Sequence, residues 1–470
     1  MTPKEPKSRR ALLALSLLAV AAAVTGGGGT AAAAESQEPT KAAPPAETVD
    51  EVLDVAPVWA GHPVGFSLLT HGGRQYVAYY DDQRRMTVAE RALGDRTWKK
   101  TVLPESVVWD SHNYITMTAD DDGHLHLSGN MHVVPLIYFR TTKPGDASTF
   151  ERVKTMVGPN EQRTTYPHFL RGPKNELIFT YRDGSSGNGD QIYNVYDHKT
   201  RAWMRLLDKP FTDGEGERNA YLDLPQRGPD GYFHMVWVWR ETPDAATNHD
   251  PTYARSRDLV HWEKSDGTPL PLPINLKAGD VVDPVPVGGG IINGNVKLGF
   301  DAKKRPVVSF HKYDASGKTQ IYNARREGDA WKLYQTSDWD WRWDFGGGGS
   351  IPFAVRVGPV RVRADGTLTQ TYSSEKYGSG TWILDEATLK PTGTLIERPA
   401  YPPQIAKVES AFPGMRPNWA GDAGKSGESG VRYVLRWETL GQNRDRPREG
   451  ALPPPSMLRL YKLKSPDDAQ

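Results

Sequence analysis

From about residue 51 onward, hydrophobic and polar residues alternate in short runs separated by turns rich in glycine, aspartate, asparagine and proline. Period-two alternation with aromatic and β-branched residues is typical of half-buried β-strands, whereas an amphipathic helix repeats its apolar positions every three to four residues. The runs RQYVAYYD, MTVAERAL and TWKKTVL are the first such strands. No convincing amphipathic helix follows residue 50. The pattern therefore predicts an all-β protein.

The runs recur as units of roughly 45–70 residues, a period that is typical of repeat architectures. Seven units can be followed, the last two more weakly through TLTQTYSSEKYG and VRYVLRWETL. Four-stranded blades around an axis suit this pattern, and closing the ring protects the strand edges. We predict a seven-bladed β-propeller of four-stranded antiparallel blades, in which VLDVAPVWAG supplies the strand that closes the last blade. An open pair of packed sheets is the structural alternative.

The N-terminus has the pattern of an export signal. Four basic residues precede the apolar stretch ALLALSLLAVAAAV, and TAAAAES then offers a cleavage site. We therefore predict a signal peptide over residues 1–34, a disordered linker over 35–50 and a single propeller domain over 51–470. Two arginines before the apolar stretch make the twin-arginine route an alternative to Sec. The mature protein is expected to be secreted and soluble, with no membrane segment.

Composition narrows the classes of partner and chemistry. The 470 residues include 58 Lys and Arg against 57 Asp and Glu, a net charge of +1 that gives no electrostatic footprint for nucleic acid. The absence of cysteine excludes disulfides and cysteine-based zinc or nucleophile sites. The chain is expected to act as a monomer, as most propellers do.

Four polar residues stand at matching points of the second and third units. His112 lies in DSHNY, His132 in SGNMHVV, Tyr166 in TTYPHF and Arg182 in FTYRDGSSGNGD. The start of a blade's first strand and the end of its second can reach one rim, so the four are predicted to meet across neighbouring blades. Taken singly, each has an ordinary interpretation as a solvated histidine, a packing tyrosine or an ion-paired arginine.

The stretches SHNY…DGHLHLSGNMHVVPLIYFR, TYPHF, ELIFTYRDGSSGNGD and SRDLVHW resemble the BNR-repeat propellers that include polysaccharide lyases acting on ulvan and related rhamnose–uronic acid polymers. The resemblance spans most of residues 55–345 and weakens towards the C-terminus. It implies a lyase acting on an anionic, uronic acid-containing polysaccharide. The order and spacing of the two histidines, the tyrosine and the arginine resemble the catalytic set of that family.

The chemistry of β-elimination needs the same residue types. Removing a proton next to an ionised carboxylate is unfavourable unless a cation neutralises that carboxylate, and Arg182 suits this task because guanidinium binds carboxylate bidentately. We expect His112 to act as base, Tyr166 as acid and His132 to support the site or share the base's task. The sequence leaves exchanged roles open. No cofactor is required, and a structural metal ion is allowed.

Further polar residues at corresponding strand ends are predicted to contact the polysaccharide, against the ordinary alternative of loop polarity. These candidates are Asn113, Tyr221, Arg240, His249, His311 and Lys312. The tryptophans of SDWDWRWDF suit either sugar stacking or blade packing.

Three competing interpretations stay open. His124 and His126 point to one face of a strand and could bind zinc, but no third ligand accompanies them, so we expect them on a blade surface with no metal at the site. A sialidase-like hydrolase would need an arginine triad or a carboxylate pair. Asp183, Asp190 and Asp250 show no pairing signal. A propeller that only binds glycans is the third interpretation.

Overall fold

The structure, a computed structural model, describes residues 47–466, and these residues are built almost wholly from β-strands. One α-helix of four residues, Pro403–Ala406, lies among them, together with three short 3₁₀ turns. Within residues 47–466 no helix has the length and apolar character needed to cross a bilayer. The all-β prediction is confirmed, and the predicted signal peptide lies outside the described residues.

Thirty-two strands make up the described part of the chain. The first ten are β1 (Thr48–Val58), β2 (Ser67–His71), β3 (Arg74–Tyr80), β4 (Arg85–Ala92), β5 (Lys99–Ser106), β6 (Ile115–Ala119), β7 (Leu125–Gly129), β8 (His132–Val134), β9 (Tyr138–Thr141) and β10 (Phe150–Arg152). The next eleven are β11 (Thr164–Arg171), β12 (Leu177–Ser185), β13 (Asn188–Asp197), β14 (Ala202–Arg205), β15 (Asn219–Leu222), β16 (Gln226–Arg227), β17 (Phe233–Arg240), β18 (Asn248–Ser256), β19 (Trp262–Glu263), β20 (Pro269–Leu270) and β21 (Asp280–Val281). The last eleven are β22 (Lys297–Phe300), β23 (Pro306–Tyr313), β24 (Thr319–Glu327), β25 (Ala330–Gln335), β26 (Val355–Val362), β27 (Leu368–Ser374), β28 (Gly378–Leu384), β29 (Pro391–Leu395), β30 (Met415–Gly421), β31 (Val431–Leu440) and β32 (Ser456–Lys464).

These strands form six sheets in the described residues, and five of the six have four strands. Four of the five have a meander-like order, β2–β5, β6–β7–β9–β10, β22–β25 and β26–β29. The fifth has the order β1–β32–β31–β30. Within these five sheets neighbouring strands run antiparallel, so the prediction of four-stranded antiparallel units is confirmed.

The sixth sheet has twelve strands and divides naturally into two groups. Strands β11–β14, with β8 at their edge, pair antiparallel, and so do β15–β21. The two groups are joined by a single parallel pair, Gly189 with Asn219. Strand β8 therefore carries chain from the second repeat onto the edge of the third, which brings residues of both repeats together.

The first strand of the described chain pairs with the last. Thr48 of β1 lies opposite Lys464 of β32, and the pairing continues to Val58 opposite Ser456. The last residues of the linker predicted over 35–50 belong to this strand, because the ladder with β32 already holds Thr48 and an ion pair joins Glu47 to Arg432, whereas residues 35–46 lie outside the described part of the chain. The strand predicted from VLDVAPVWAG is present and begins earlier than expected.

Aromatic residues pack where neighbouring sheets meet. Phe66 stacks on Trp437 with ring centroids 4.4 Å apart. The SRDLVHW stretch is a structural turn, since the Asp258 carboxylate accepts hydrogen bonds from the backbone N–H of Val260 and His261. Trp262 then packs against Phe211 in the core.

The first strand provides a test of how much its pairing with β32 stabilises the fold. Leu53 is 4% exposed in a core cluster that also contains Leu460, whereas its neighbour Val52 is 39% exposed. We expect Leu53→Ala to lower the free energy of unfolding by about 2–5 kcal/mol, because it leaves a cavity in the core. Val52→Ala, the control, should change it by less than about 0.5 kcal/mol. Urea denaturation measures both, and equal effects would contradict the burial pattern of β1.

Candidate active site

Six of the residues predicted from the sequence line a single cavity of about 380 Å³. They are His112, His132, Tyr166, Arg182, Tyr221 and Arg240. A glycine-rich segment, residues 346–353, contributes a further part of the lining through its residues from Gly348 onward. Ser111, Ser186 and Gln442 also line the cavity. Distant parts of the chain thus converge on one small polar space.

His112 is held by a 3₁₀ turn, Ser111–Asn113, that leads into β6. Asp110 caps this turn, and its side chain accepts a hydrogen bond from the backbone N–H of His112. His132 opens β8, and its ring stacks on that of His112 with centroids 4.1 Å apart. The capped turn and the short strand therefore bring the two imidazoles face to face.

The Asp110 carboxylate links both imidazoles. Its Oδ1 lies 2.6 Å from His112 Nδ1, and its Oδ2 lies 2.5 Å from His132 Nδ1. Burial acts to raise the pKa of Asp110, but the hydrogen bonds and charges of the two histidines hold it well below its usual range. Since the carboxylate accepts at both Nδ1 atoms, each ring presents its Nε2 as the atom free to take a proton.

The same three side chains form the one group in residues 47–466 whose ligand atoms are close enough to hold a metal ion. Each ring nitrogen faces its own carboxylate oxygen at 2.5 or 2.6 Å, which is a hydrogen-bond length. Ligand atoms at about 2.0–2.2 Å from one tetrahedral zinc ion lie roughly 3.3 Å from one another, which is longer than either of these contacts. The geometry therefore favours a hydrogen-bonded pair of histidines.

Two residues with left-handed backbone conformation shape this part of the rim. Val133 has φ 58° and Tyr166 has φ 58°, values that side chains rarely adopt. The pairing of β11 with β12 shifts register between Thr165 and His168, so Tyr166 sits in a bulge. The Val133 N–H donates to Thr165 Oγ1 at 2.9 Å, which ties β8 to β11. Such strain is typical of functional sites.

Tyr166 lies between the histidines and the arginines. Its ring centroid is 5.5 Å from that of His112, and the guanidinium carbon of Arg182 is 4.9 Å from it. Burial, with a smaller contribution from Tyr221, raises the pKa of Tyr166 above its usual value, although Arg182 and Arg240 act in the opposite direction. The phenol is therefore protonated at neutral pH.

Arg182 is 2% exposed and has no acidic partner among the described residues. Its Nη2 donates to Thr165 Oγ1 at 3.1 Å, whereas Nε and Nη1 have no hydrogen-bond partner. Gly189 makes room for this side chain, because a Cβ there would lie 2.9 Å from Arg182 Cδ. A buried cation with unsatisfied donors is costly unless an anion binds to it.

Tyr221 and Arg240 repeat this arrangement one group of strands further along. The Arg240 guanidinium lies over the Tyr221 ring at 5.2 Å and donates to the backbone carbonyl oxygens of Thr242 and Pro243. The Tyr221 hydroxyl is 2.5 Å from Ser186 Oγ. The cavity thus has two arginines on one side and two histidines on the other.

Four of the predicted binding residues do not line this cavity. Asn113 is the buried last residue of the turn that carries His112. The two ring nitrogens of His249 face Glu241 and Asp250. Lys312 forms an ion pair with Asp283 at 2.6 Å, and His311 is fully buried beside Trp343. The side chains of His249 and Lys312 are thus paired within the protein, and none of the four lines the cavity, so the structure gives no support to a sugar-binding role for them there.

His124 and His126 are not on a blade surface, so that expectation is wrong. Both are buried, at 2% and 0% exposure. His126 Nδ1 lies 2.7 Å from the Tyr138 hydroxyl and its Nε2 lies 3.2 Å from Asp120, while His124 Nδ1 faces the Thr141 carbonyl. Both ring nitrogens of His126 are therefore hydrogen-bonded inside the sheet, whereas His124 uses Nδ1 alone.

The geometry gives little support to a hydrolase that works through a carboxylate pair. Asp183, Asp190 and Asp250 do not line the cavity, although burial and the nearby Asp213 raise the pKa of Asp190 to about 6.

Sugar stacking is likewise unsupported for two of the three tryptophans of SDWDWRWDF. Trp339 and Trp343 are buried in a core cluster, so the packing interpretation applies to them.

Sequence reasoning missed two carboxylates. Asp110 stands two residues before His112 in DSHNY, and an acidic residue so close to a candidate base is a signal that could have been used. Asp445 comes from the far end of the chain, where no local pattern marks it. Its carboxylate accepts hydrogen bonds from the backbone N–H and the hydroxyl of Ser111, and its Oδ2 lies 3.6 Å from His112 Nδ1.

Comparison with known proteins agrees with this architecture. Residues 74–339 match a family described as BNR repeat-containing family member. No curated protein matches the chain at a significant level. Among solved structures, the polysaccharide lyase Uly1 is similar over 88% of this chain and 99% of its own, with a TM-score of 0.58 and 13% identity. An ulvan lyase of family PL25, also solved bound to -[GlcA(1-4)Rha3S]-, is similar over 87% of this chain and 95% of its own, with a TM-score of 0.56 and 13% identity. At this identity the likeness concerns the fold.

Two buried histidines should make the free energy of unfolding depend on pH. Burial lowers the pKa of His168 to about 4 and that of His311 to about 3. In the unfolded chain histidine takes up its proton near pH 6.5. Stability should therefore fall as the pH drops below about 6.5, because protons bind to the unfolded state first.

His311→Leu should reduce this acid sensitivity, because His311 is fully buried and neither ring nitrogen forms a well-aligned hydrogen bond. The measurement is the urea midpoint at pH 7.5 and pH 5, compared between the variant and the wild type. An unchanged difference between the two pH values would contradict the low pKa of His311.

Proposed function

We propose that this chain, which belongs to the BNR repeat-containing family, is a secreted polysaccharide lyase that cleaves a uronic acid-containing glycan by β-elimination. The observation that carries the proposal is the buried guanidinium of Arg182, whose Nε and Nη1 lack partners inside a cavity that also holds two histidines and a protonated tyrosine. A sugar carboxylate would satisfy those donors bidentately. The fold shared with Uly1 and the PL25 ulvan lyase supports the same class of reaction.

The proposed reaction begins when Arg182 binds the uronate carboxylate and so stabilises the negative charge that develops there. A histidine Nε2 then takes the proton from C5, and the electrons of the C5–H bond form the C4–C5 double bond. The bond between C4 and the glycosidic oxygen breaks, and that oxygen takes the Tyr166 phenol proton. The products are a new chain end and an unsaturated uronate. No cofactor takes part in these steps.

One of the two histidines acts as the base in this proposal. We take His112 as the base, because its ring is the one in contact with Tyr166, and His132 as the residue that stacks on it. Asp110 would stabilise the imidazolium that forms after proton transfer, as carboxylates do in other histidine-dependent sites. Arg240, beside Tyr221, would bind a second anionic or polar group of the polymer.

We further propose that the six sheets are seven propeller blades. The twelve-stranded sheet would contribute two of them, since only one parallel pair joins its halves, and the sheet of β1 with β30–β32 would be the blade that closes the ring. Substrate would then bind at the rim where β8, β11, β12 and β17 deliver their residues. We also propose export with a cleaved signal peptide, which rests on the sequence of residues 1–34. The exported protein is proposed to act as a monomer.

An ultraviolet absorbance assay tests the reaction class. Purified protein is mixed with ulvan and with other uronate-containing polysaccharides, with and without a chelator. We expect a rising absorbance from the conjugated unsaturated uronate, unaffected by the chelator. Arg182→Ala should lower kcat/KM by at least about 100-fold, because a preorganised charge is removed.

Arg363→Ala is the matched control, since Arg363 is exposed and pairs with Glu397. New reducing ends without the absorbance would indicate a hydrolase, and polymer binding without products a glycan-binding propeller. Loss of activity with the chelator would indicate a metal at the histidine pair.

Tyr166→Phe tests the proposed acid. The variant keeps the ring that contacts His112 and Arg182 but removes the proton that the leaving oxygen needs. We expect kcat to fall by about 10²–10⁴-fold with little change in KM. Tyr232→Phe is the control, because Tyr232 also lies beneath an arginine, at 4.0 Å from Arg257, but away from the cavity lining. A Tyr166→Phe enzyme with the wild-type rate would remove Tyr166 from the acid's role.

A further inference from the structure

Two adjacent residues in the loop between β31 and β32 connect opposite parts of the cavity lining. Arg444 and Asp445 have φ 53° and 55°, so both lie in the left-handed region that non-glycine residues seldom occupy. Two such residues in a row turn their side chains towards different partners. The conformation is costly, and it persists only where the surrounding contacts hold it.

The Asp445 carboxylate receives donors from three separate segments. Oδ1 accepts from the Ser111 backbone N–H at 3.0 Å and from the Ser111 hydroxyl at 2.9 Å, and it lies 3.2 Å from His62 Nε2. Oδ2 accepts from the Ser350 backbone N–H at 2.7 Å. Burial acts to raise the pKa of Asp445, but these donors and His112 hold it well below its usual range. The carboxylate is therefore ionised at any working pH.

Arg444 holds the other side of the same segment. Its guanidinium donates to the Gly346 carbonyl oxygen at 2.7 Å and to that of Gly348 at 3.3 Å. Residues 346–349 are four consecutive glycines, which have no side chains with which to fix their own conformation. The position of this segment therefore depends on contacts from outside it, and Arg444 and Asp445 supply several of them.

We propose that Arg444 and Asp445 form a clamp that sets the position of His112 relative to the glycine-rich wall, with Asp445 as a positioning residue for the proposed base. The inference rests on the proposed function for its catalytic consequence, but the clamp itself is a property of the fold. Asp445 fixes the turn Ser111–Asn113 by two hydrogen bonds to its first residue, and it fixes Ser350 by a third. A polymer bound in the cavity would lie between these two walls.

The two oxygens of the Asp445 carboxylate contact different segments, so a substitution that changes only one of them can separate the two contacts. In Asp445→Asn the amide oxygen should stay at the three donors around Ser111 and His62, which leaves the NH₂ group facing the Ser350 N–H. The variant should therefore release the glycine-rich segment but keep the turn. Asp445→Ala should release both. Asp365→Asn is the matched control, because Asp365 caps an exposed turn by accepting from Thr367 N–H.

Hydrogen exchange and steady-state kinetics measure the two consequences. We expect faster amide exchange in peptides covering 346–351 for Asp445→Asn, and in those plus peptides covering 110–114 for Asp445→Ala. On a uronate polysaccharide, kcat should fall by about tenfold for Asn and up to about 100-fold for Ala, with little change in KM, because a small displacement of a reacting group has effects of this size.

Each outcome bears on one of the two proposals. Unchanged exchange at both segments would overturn the clamp, even in an active enzyme. Changed exchange in the Asp445 variants, together with a wild-type protein that cleaves no uronate polymer, would support the clamp and reject the lyase. Should Asp445→Ala fail to fold, Asp445→Asn decides by its exchange at 346–351 alone. A fall in kcat equal to that of Asp365→Asn would remove Asp445 from the positioning role.

Discussion

The candidate site depends on a positive charge that is buried without a negative one beside it. Arg182 is 2% exposed, and its hydrogen bond goes to the Thr165 hydroxyl. Burying an unpaired cation is unfavourable, and the faces of Tyr166 and Tyr221 offset only part of the cost. The protein keeps this arrangement because the surrounding strands fix it. An anion that enters the cavity would balance the charge of Arg182 and accept hydrogen bonds from its Nε and Nη1.

The charges around the cavity are separated in a way that suits proton transfer. Asp110 and Asp445 lie on the side of the histidines, and Arg182 and Arg240 line the other side. In the proposed reaction the base becomes positive while the substrate becomes more negative. Each developing charge then lies next to fixed charges of the opposite sign, which do not have to reorganise during the reaction.

The sequence predicted the strands and the histidines, tyrosines and arginines of the cavity because both depend on local patterns. Alternation marked the strands, and matching repeat positions identified residues such as His112 and Tyr166 that converge. The same reasoning failed where side-chain direction matters, since a strand end alone does not say whether His311 faces the rim or the sheet interior. It also failed for Asp445, which is 334 residues from its partner Ser111 and acts through a left-handed backbone that no motif announces. Contacts between distant turns have no signal in a single sequence.

The pairing of β1 with β32 has a consequence for how the molecule reaches its native state. Strand β1 can complete its sheet only with β32, so that sheet cannot form until β32 has been synthesised. Contacts with so large a separation raise the contact order, and chains of high contact order fold slowly. Until β32 pairs with them, β1 and β31 each present an unpaired edge. Association with other chains through those edges competes with folding.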